Sequence, residues 1–204
     1  MATGPMRRSW RTHLYIVAIA VLVQAAAPGQ PARELLNSER IEAAFGSYGV
    51  EVLGQDAQVR VSSLYSGTAE NRTCRTLAVV RYAAPMDPAV GAEHAAIVAG
   101  GSIGATFAAQ GWEVRKTHLS YAERPATAKL AALMRIAAGT PLAEHVYVLD
   151  VVKDGRTIEY AALVEIHHPD YLDVGELETI YGAVDEGRRE LVAQLRATAT
   201  DRTR

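Results

Sequence analysis

The chain has 204 residues, 49% of them hydrophobic and 22% charged, which is the size and composition of one globular domain with some excess. Lys+Arg is 21 against 23 Asp+Glu, a formal net charge of -2, which argues against a surface built mainly to grip nucleic acid or anionic lipid. A single cysteine, Cys74, excludes an intrachain disulfide framework and any multi-cysteine zinc or iron–sulfur site.

Residues 1–13 carry Arg7, Arg8 and Arg11 and no acid, residues 14–23 are uninterrupted apolar, and Ala25, Ala26 and Ala27 follow Gln24. A basic start, a short apolar run and then small residues is the secretory pattern. The run is shorter than the roughly 20 residues a transmembrane helix needs. Residues 1–27 are therefore expected to be a secretory signal, with an uncleaved membrane anchor as the alternative, and the protein is expected to work outside the cytoplasm, in a periplasm. Residues 28–32 make a short linker, 33–199 the domain, and 200–204 a polar tail.

Residues 33–45 read as an amphipathic helix, with Leu35, Leu36, Ile41, Ala44 and Phe45 on one side and Gly46 as its stop. Extended runs follow at 48–54, 58–65 and 72–82, the last two joined by a turn-rich loop and read as a hairpin. Asp87-Pro88 opens a helix that Gly100-Gly101 must break, and Ser102 can cap a fresh segment that Gly111 stops. Residues 112–121 read as a strand and 126–135 as a short helix. Strands 144–152 and 156–168 are joined through Asp154-Gly155, a strong hairpin turn. A last helix, 174–197, is interrupted at Gly182 and Gly187. Residues 33–82 and 88–168 each give helix, strand, hairpin. The expected fold is α+β: an antiparallel sheet of two pseudo-repeated halves, with helices packed on one face.

Side-chain alternation assigns the strand residues to faces. Arg60 goes with Ser62 and Leu64. Arg75 and Arg81 go with Leu77 and Val79. Glu159 and Glu165 share a face with Leu163 and His167. Each arginine either snorkels at the sheet margin or reaches a pocket anion as a bidentate donor. Each glutamate is either a solvated charge or a ligand contact. Six residues apart on a strand, the two carboxylates stand roughly 20 Å from one another, too far for a glycosidase pair. Gly101 and Ser102 would present backbone N–H groups and a hydroxyl at a helix start, a natural anion site, unless the glycines only let the helix bend. GGSIG lacks the strand–turn–helix context of a dinucleotide fingerprint. His145, Glu165 and His167 make a metal site conceivable, but no HExxH-type spacing supports it, and turn-capping or surface histidines are the expectation: no metal and no cofactor. Cys74 reads as a small buried residue.

Taken in order, a Ser-led helix ending in Gly over 102–111, a strand, a helix ending in LMRIAAGTPL over 133–142, a hairpin turned by Asp154-Gly155 and a strand bearing Glu159-Tyr160 resemble the UTRA ligand-binding domain. That domain is the effector-sensing half of GntR-type regulators and shares the chorismate lyase fold. The resemblance spans roughly residues 48–171. It implies a small-molecule pocket with ligand contacts at Ser102, Glu159 and an arginine of the 58–82 hairpin. The winged helix that usually precedes such domains has no counterpart here, so the expected partner is a small polar, anionic ligand and not nucleic acid. The family's tight arginine pair is absent too, since Arg60, Arg75 and Arg81 are spread out. The expected function is an exported sensor or accessory domain. A chorismate lyase-like enzyme, releasing pyruvate, and an envelope interaction protein with a vestigial pocket are the alternatives. Self-association as a homodimer and membrane attachment through residues 14–27 stay open.

Overall fold

A computed structural model describes residues 34–203, and residues 1–27, the expected targeting segment, lie outside the described residues. From Leu35 onward the chain forms one compact unit. Its first helix, α1, spans Asn37–Phe45 and stops where Gly46 takes the left-handed conformation, φ 72°. Strands β1 (Gly49–Gln55), β2 (Val59–Ser66) and β3 (Thr73–Tyr82) follow. A 3-10 turn at Pro88–Val90, capped by the Asp87 side chain, leads into α2 (Gly91–Val98). Gly100, at φ 113°, ends that helix, and α3 (Ile103–Ala109) starts afresh after Ser102. Next come β4 (Glu113–Pro125), α4 (Ala128–Met134), β5 (Pro141–Lys153) and β6 (Arg156–His167). Asp154 and Gly155, both at positive φ, turn the β5–β6 hairpin as their sequence requires. The last helices are α5 (Val174–Tyr181) and α6 (Arg189–Arg202). Asp173 and Glu176 close a reciprocal capping box at the start of α5. No helix of the described residues is long and apolar enough to cross a membrane.

The six strands form one antiparallel sheet in the order β1-β2-β3-β6-β5-β4. The two three-stranded halves expected from the repeat are thus present, joined where β3 pairs with β6. The helices divide between both faces of the sheet, where the sequence reading had placed them on one. On the first face α4 and α6 bury Leu130, Met134, Leu195 and Ala199 against Leu77, Val79, Val146 and Val164. On the second, α2 and α3 bury Ile97 and Phe107 against Val80, Leu149, Tyr160 and Leu163. A sheet with apolar side chains on both sides needs two covers. Residues 200–203 also differ from the expected polar tail. They complete α6, and Thr203 is buried, its carbonyl accepting from the Thr127 hydroxyl.

Four strand pairs carry a one-residue register shift, in β1–β2, β2–β3, β4–β5 and β5–β6. Each shift inserts an extra residue and changes which side chains share a face. In β6 the extra residue is Tyr160: Glu159 pairs with Asp150 and Ala161 with Leu149. Tyr160 and Ala161 both enter the second-face core, so Glu159 and Glu165 point to opposite faces. This corrects the uniform alternation expected from the sequence.

Phe107→Ala, which empties a fully buried site, is expected to cost about 3–5 kcal/mol. Leu53→Ala, on an exposed position of β1, is expected to stay within roughly 0.5 kcal/mol. Urea denaturation of the two variants checks the difference.

Candidate functional site

The second face holds the polar centre. Arg60 and Ser62 of β2, on the same side as Leu64 as alternation requires, lie beside Ala78 and Val80 of β3, and Glu165 of β6 completes this stretch of the sheet. α1 and the start of α3 close over it. Together they line a half-open cavity of about 70 Å³ whose wall is mostly apolar, with Tyr48, Arg60, Ser102, Lys116 and Glu165 as its main polar groups. Its size is about half that of an engineered cavity that takes benzene.

Arg60 is fully buried, yet its charge is not bare. Its Nη1 donates to the carbonyls of Ile97 (2.7 Å) and Gly101 (2.9 Å), and its Nε donates to Ser62 Oγ (2.7 Å). The negative end of α2 and the following turn thereby take up the guanidinium. Gly101 takes part through its carbonyl, where the sequence reading had expected its N–H group. Ser102 takes the capping position of α3, but its hydroxyl makes no capping bond and instead accepts from Tyr48 at 3.3 Å. Burial raises the Tyr48 pKa, so it stays a neutral donor at any physiological pH. Lys116 sits 5.0 Å from the Tyr181 ring centre and 5.3 Å from that of Tyr147, over π faces that favour a cation.

Glu165 is anchored from α1. Asn37 Nδ2 donates to Glu165 Oε1 (3.1 Å) and to Thr76 Oγ1 (3.2 Å), while the Tyr171 hydroxyl donates to Asn37 Oδ1 (2.6 Å). Thr76 Oγ1 in turn lies 3.0 Å from His167 Nδ1. His145, on the neighbouring strand, stacks with His118 and Tyr181 and shares a hydrogen bond with His118, Nε2 to Nδ1, at 2.9 Å. The extra residue in β4, Leu119, makes this cluster, because it turns His118 and Tyr121 onto one face around His145. His145, Glu165 and His167 each offer a ligand atom within 4.8 Å of the others.

The structure therefore gathers Arg60, Gly101, Ser102 and Glu165 and separates the remaining expected residues. Glu159 is on the opposite face, 52% exposed and paired with Arg188 at 3.0 Å. Arg81 shares that face and donates to Gln194 of α6. Glu159 and Arg81 line a separate surface depression beside Tyr82 and Pro85. Arg75 is the extra residue of the β2–β3 register shift, so it leaves the row of Leu77 and Val79. Its guanidinium lies 3.8 Å over the Phe45 ring and donates to Ser66. His145, His167 and His168 are all buried rather than on the surface. Only His168 matches the turn-capping expectation, accepting from the Asp170 N–H. Cys74 is buried as expected, and burial pushes its thiol up to about 11, so it is a poor nucleophile. Sequence reasoning missed Asn37, Tyr48, Thr76, Lys116 and Tyr171. Lys116 alone had a usable signal, since it alternates with Val114 and His118 on β4. The others arrive through long-range closure of α1 over the sheet.

No protein-family model matches the chain, and no curated protein matches it. Solved structures do. It is similar to the ligand-binding domain of a GntR-family transcriptional regulator from Bordetella bronchiseptica, at 10% identity and a TM-score of 0.44, covering 62% of this chain and 89% of that one. A GntR-family regulator from Enterococcus faecalis V583 gives 11% identity and 0.39 over 62% and 93%. The PhnF C-terminal domain gives 16% identity and 0.39 over 69% and 79%.

The buried histidines make stability depend on acid. Burial holds His145 well below the ordinary imidazole value and pushes His167 down to about 3. An unfolded imidazole takes its proton near pH 6.5. Between about 6.5 and 3 the unfolded chain therefore binds more protons than the folded one, and stability falls as the pH falls. The stabilisation is complete above pH 6.5. At pH 5 the loss is on the order of 2 kcal/mol from His167 alone. Denaturant midpoints at pH 7 and pH 5 test it, and a midpoint that is unchanged or higher at pH 5 contradicts the assignment.

Proposed function

We propose that this chain is an exported binding domain for a small anionic solute, held in the cavity between α1, α3 and the sheet, and that it serves as a sensor or accessory subunit. The observation that carries this reading is the charge of the cavity wall: two cations, Arg60 and Lys116, against one carboxylate, Glu165, inside an otherwise apolar hollow. Cationic groups outnumber carboxylates on this wall, and in a low-dielectric site that balance favours an anion. The volume of about 70 Å³ suits a solute group of a few heavy atoms, the size of a short carboxylic acid. Tyr48 and Ser102 supply neutral hydrogen-bonding groups on the same wall. In the enzyme reading an arginine grips the substrate carboxylate and a glutamate assists; Glu159, paired with Arg188 on the opposite face, is away from Arg60.

Thermal unfolding of the full chain in the presence of acetate, pyruvate, oxalate and inorganic phosphate tests the binding. At a hundredfold excess over Kd a bound solute stabilises by about 2.7 kcal/mol, a rise in Tm of roughly 5–10 °C for a domain of this size. The rise is expected with at least one short carboxylate. It is expected to vanish in Lys116→Met and to persist in Glu159→Ala. If none of the four anions raises Tm, or if Lys116→Met responds like the unaltered chain, the reading fails.

Export rests on the basic start and apolar run of residues 1–23. Replacing residues 14–23 with polar ones is expected to leave the protein in the cytoplasmic fraction of a bacterial host. Recovery of that variant from the periplasm would remove the targeting role.

A further inference from the structure

We propose that His145, Glu165 and His167 form a binding site for a divalent transition-metal ion, Zn²⁺ above all. Their ligand atoms lie within 4.8 Å of one another, on neighbouring strands β5 and β6, and all three side chains are buried. One nitrogen of each histidine ring points to a ligand on independent grounds. His145 Nδ1 and His167 Nε2 are inaccessible to solvent and have no hydrogen-bond partner. Buried polar atoms are nearly always satisfied, so two such nitrogens side by side call for something that accepts their lone pairs.

The outer nitrogens of both rings are already placed for metal binding. His167 Nδ1 meets Thr76 Oγ1 at 3.0 Å, and His145 Nε2 meets His118 Nδ1 at 2.9 Å. A proton on each of these outer nitrogens fixes the tautomer in which the inner nitrogen carries a lone pair. Glu165 is steadied in the same way, by Asn37 on its Oε1, while its Oε2 stands 4.0 Å from His167 Nε2. Two imidazoles and one carboxylate around one centre is a donor set that suits Zn²⁺ or Fe²⁺ and leaves coordination positions for solvent or solute. Metal–ligand distances of about 2.0–2.1 Å require the three groups to draw in by roughly 0.7 Å each. Lys116 is the nearby cation, and its charge opposes a dication as it opposes protonation of both rings. The Glu165 carboxylate offsets it. Coordination by imidazole nitrogen selects a transition metal over Mg²⁺ or Ca²⁺, which take oxygen ligands. Glu165 also lines the cavity, which makes the cavity the route to the site.

The test uses the full chain stripped of metal with a chelator. Calorimetric titration with Zn²⁺ is expected to give one ion per chain with a Kd below 10 µM, and Mg²⁺ and Ca²⁺ no heat. His145→Gln and His167→Gln are each expected to weaken Zn²⁺ binding at least a hundredfold, with folding checked by circular dichroism. Imidazole ¹⁵N spectra of the unaltered chain are expected to show one ring metallated at Nδ1 and one at Nε2, which decides the matter even if a variant does not fold. Absence of a stoichiometric ion, binding that survives both substitutions, or spectra with no metallated ring would overturn the proposal. Zn²⁺ titration and the anion series fail separately, so loss of one leaves the other standing.

Discussion

Everything in this molecule is hung on the pairing of β3 with β6. Each half of the described chain builds a three-stranded antiparallel unit from local turns, and this ladder, from Thr76 opposite His167 to Tyr82 opposite Ala161, is the strand pairing that joins them into one sheet. Most of its residues are buried on both faces, so it forms a wall between two cores. The polar centre stands at one end of the same ladder, because Thr76, Glu165 and His167 belong to it. A shift of this register by one residue would move Glu165 and His167 into the α4–α6 core and leave Arg60 with no carboxylate on its face.

A buried guanidinium and a buried carboxylate on one sheet face are expensive, and their surroundings show how the cost is met. Arg60 is neutralised by carbonyl dipoles at the end of α2, Glu165 by the amide of Asn37. These partners are uncharged groups. Polar groups satisfied by neutral donors and acceptors keep an electric field directed into the cavity, which is the usual condition for selective recognition of charge. The opposite arrangement occurs on the other face. There Glu144 is held by Arg124 at 3.0 Å and Arg196 at 2.6 Å, and its charge is spent on structure.

Much of the architecture was legible in the sequence, because it depends on short-range signals. Asp154-Gly155, Asp87-Pro88, Gly46 and Gly100-Gly101 mark turns and helix ends through local backbone chemistry, and each does what it was expected to do. The faces of the strands were less legible. Arg75 and Glu159 were misplaced for one reason: an added residue in the strand reverses the alternation beyond it. Nothing local distinguishes Tyr160 from a regular strand residue. Its bulge exists because the ring packs against Phe107 at 4.7 Å, across a long stretch of chain. Arg60 and Glu165, which lie on the near side of these irregularities, were assigned to the right surfaces. The burial of His145 and His167 was illegible for another reason, since it depends on α1 and α5 closing over them.

α6 has a consequence for how the chain tolerates damage. It reaches across the sheet from Arg196, which holds Glu144, to Arg202, which holds Asp56 beside β2, and its inner side seats Val192, Leu195 and Ala199. A nick in the segment 182–188 that let this helix drift away would bare a broad greasy panel spanning both halves of the sheet. Such panels stick to one another. Clumping would therefore set in while the Arg60 hollow, shielded on the far side, still kept its shape.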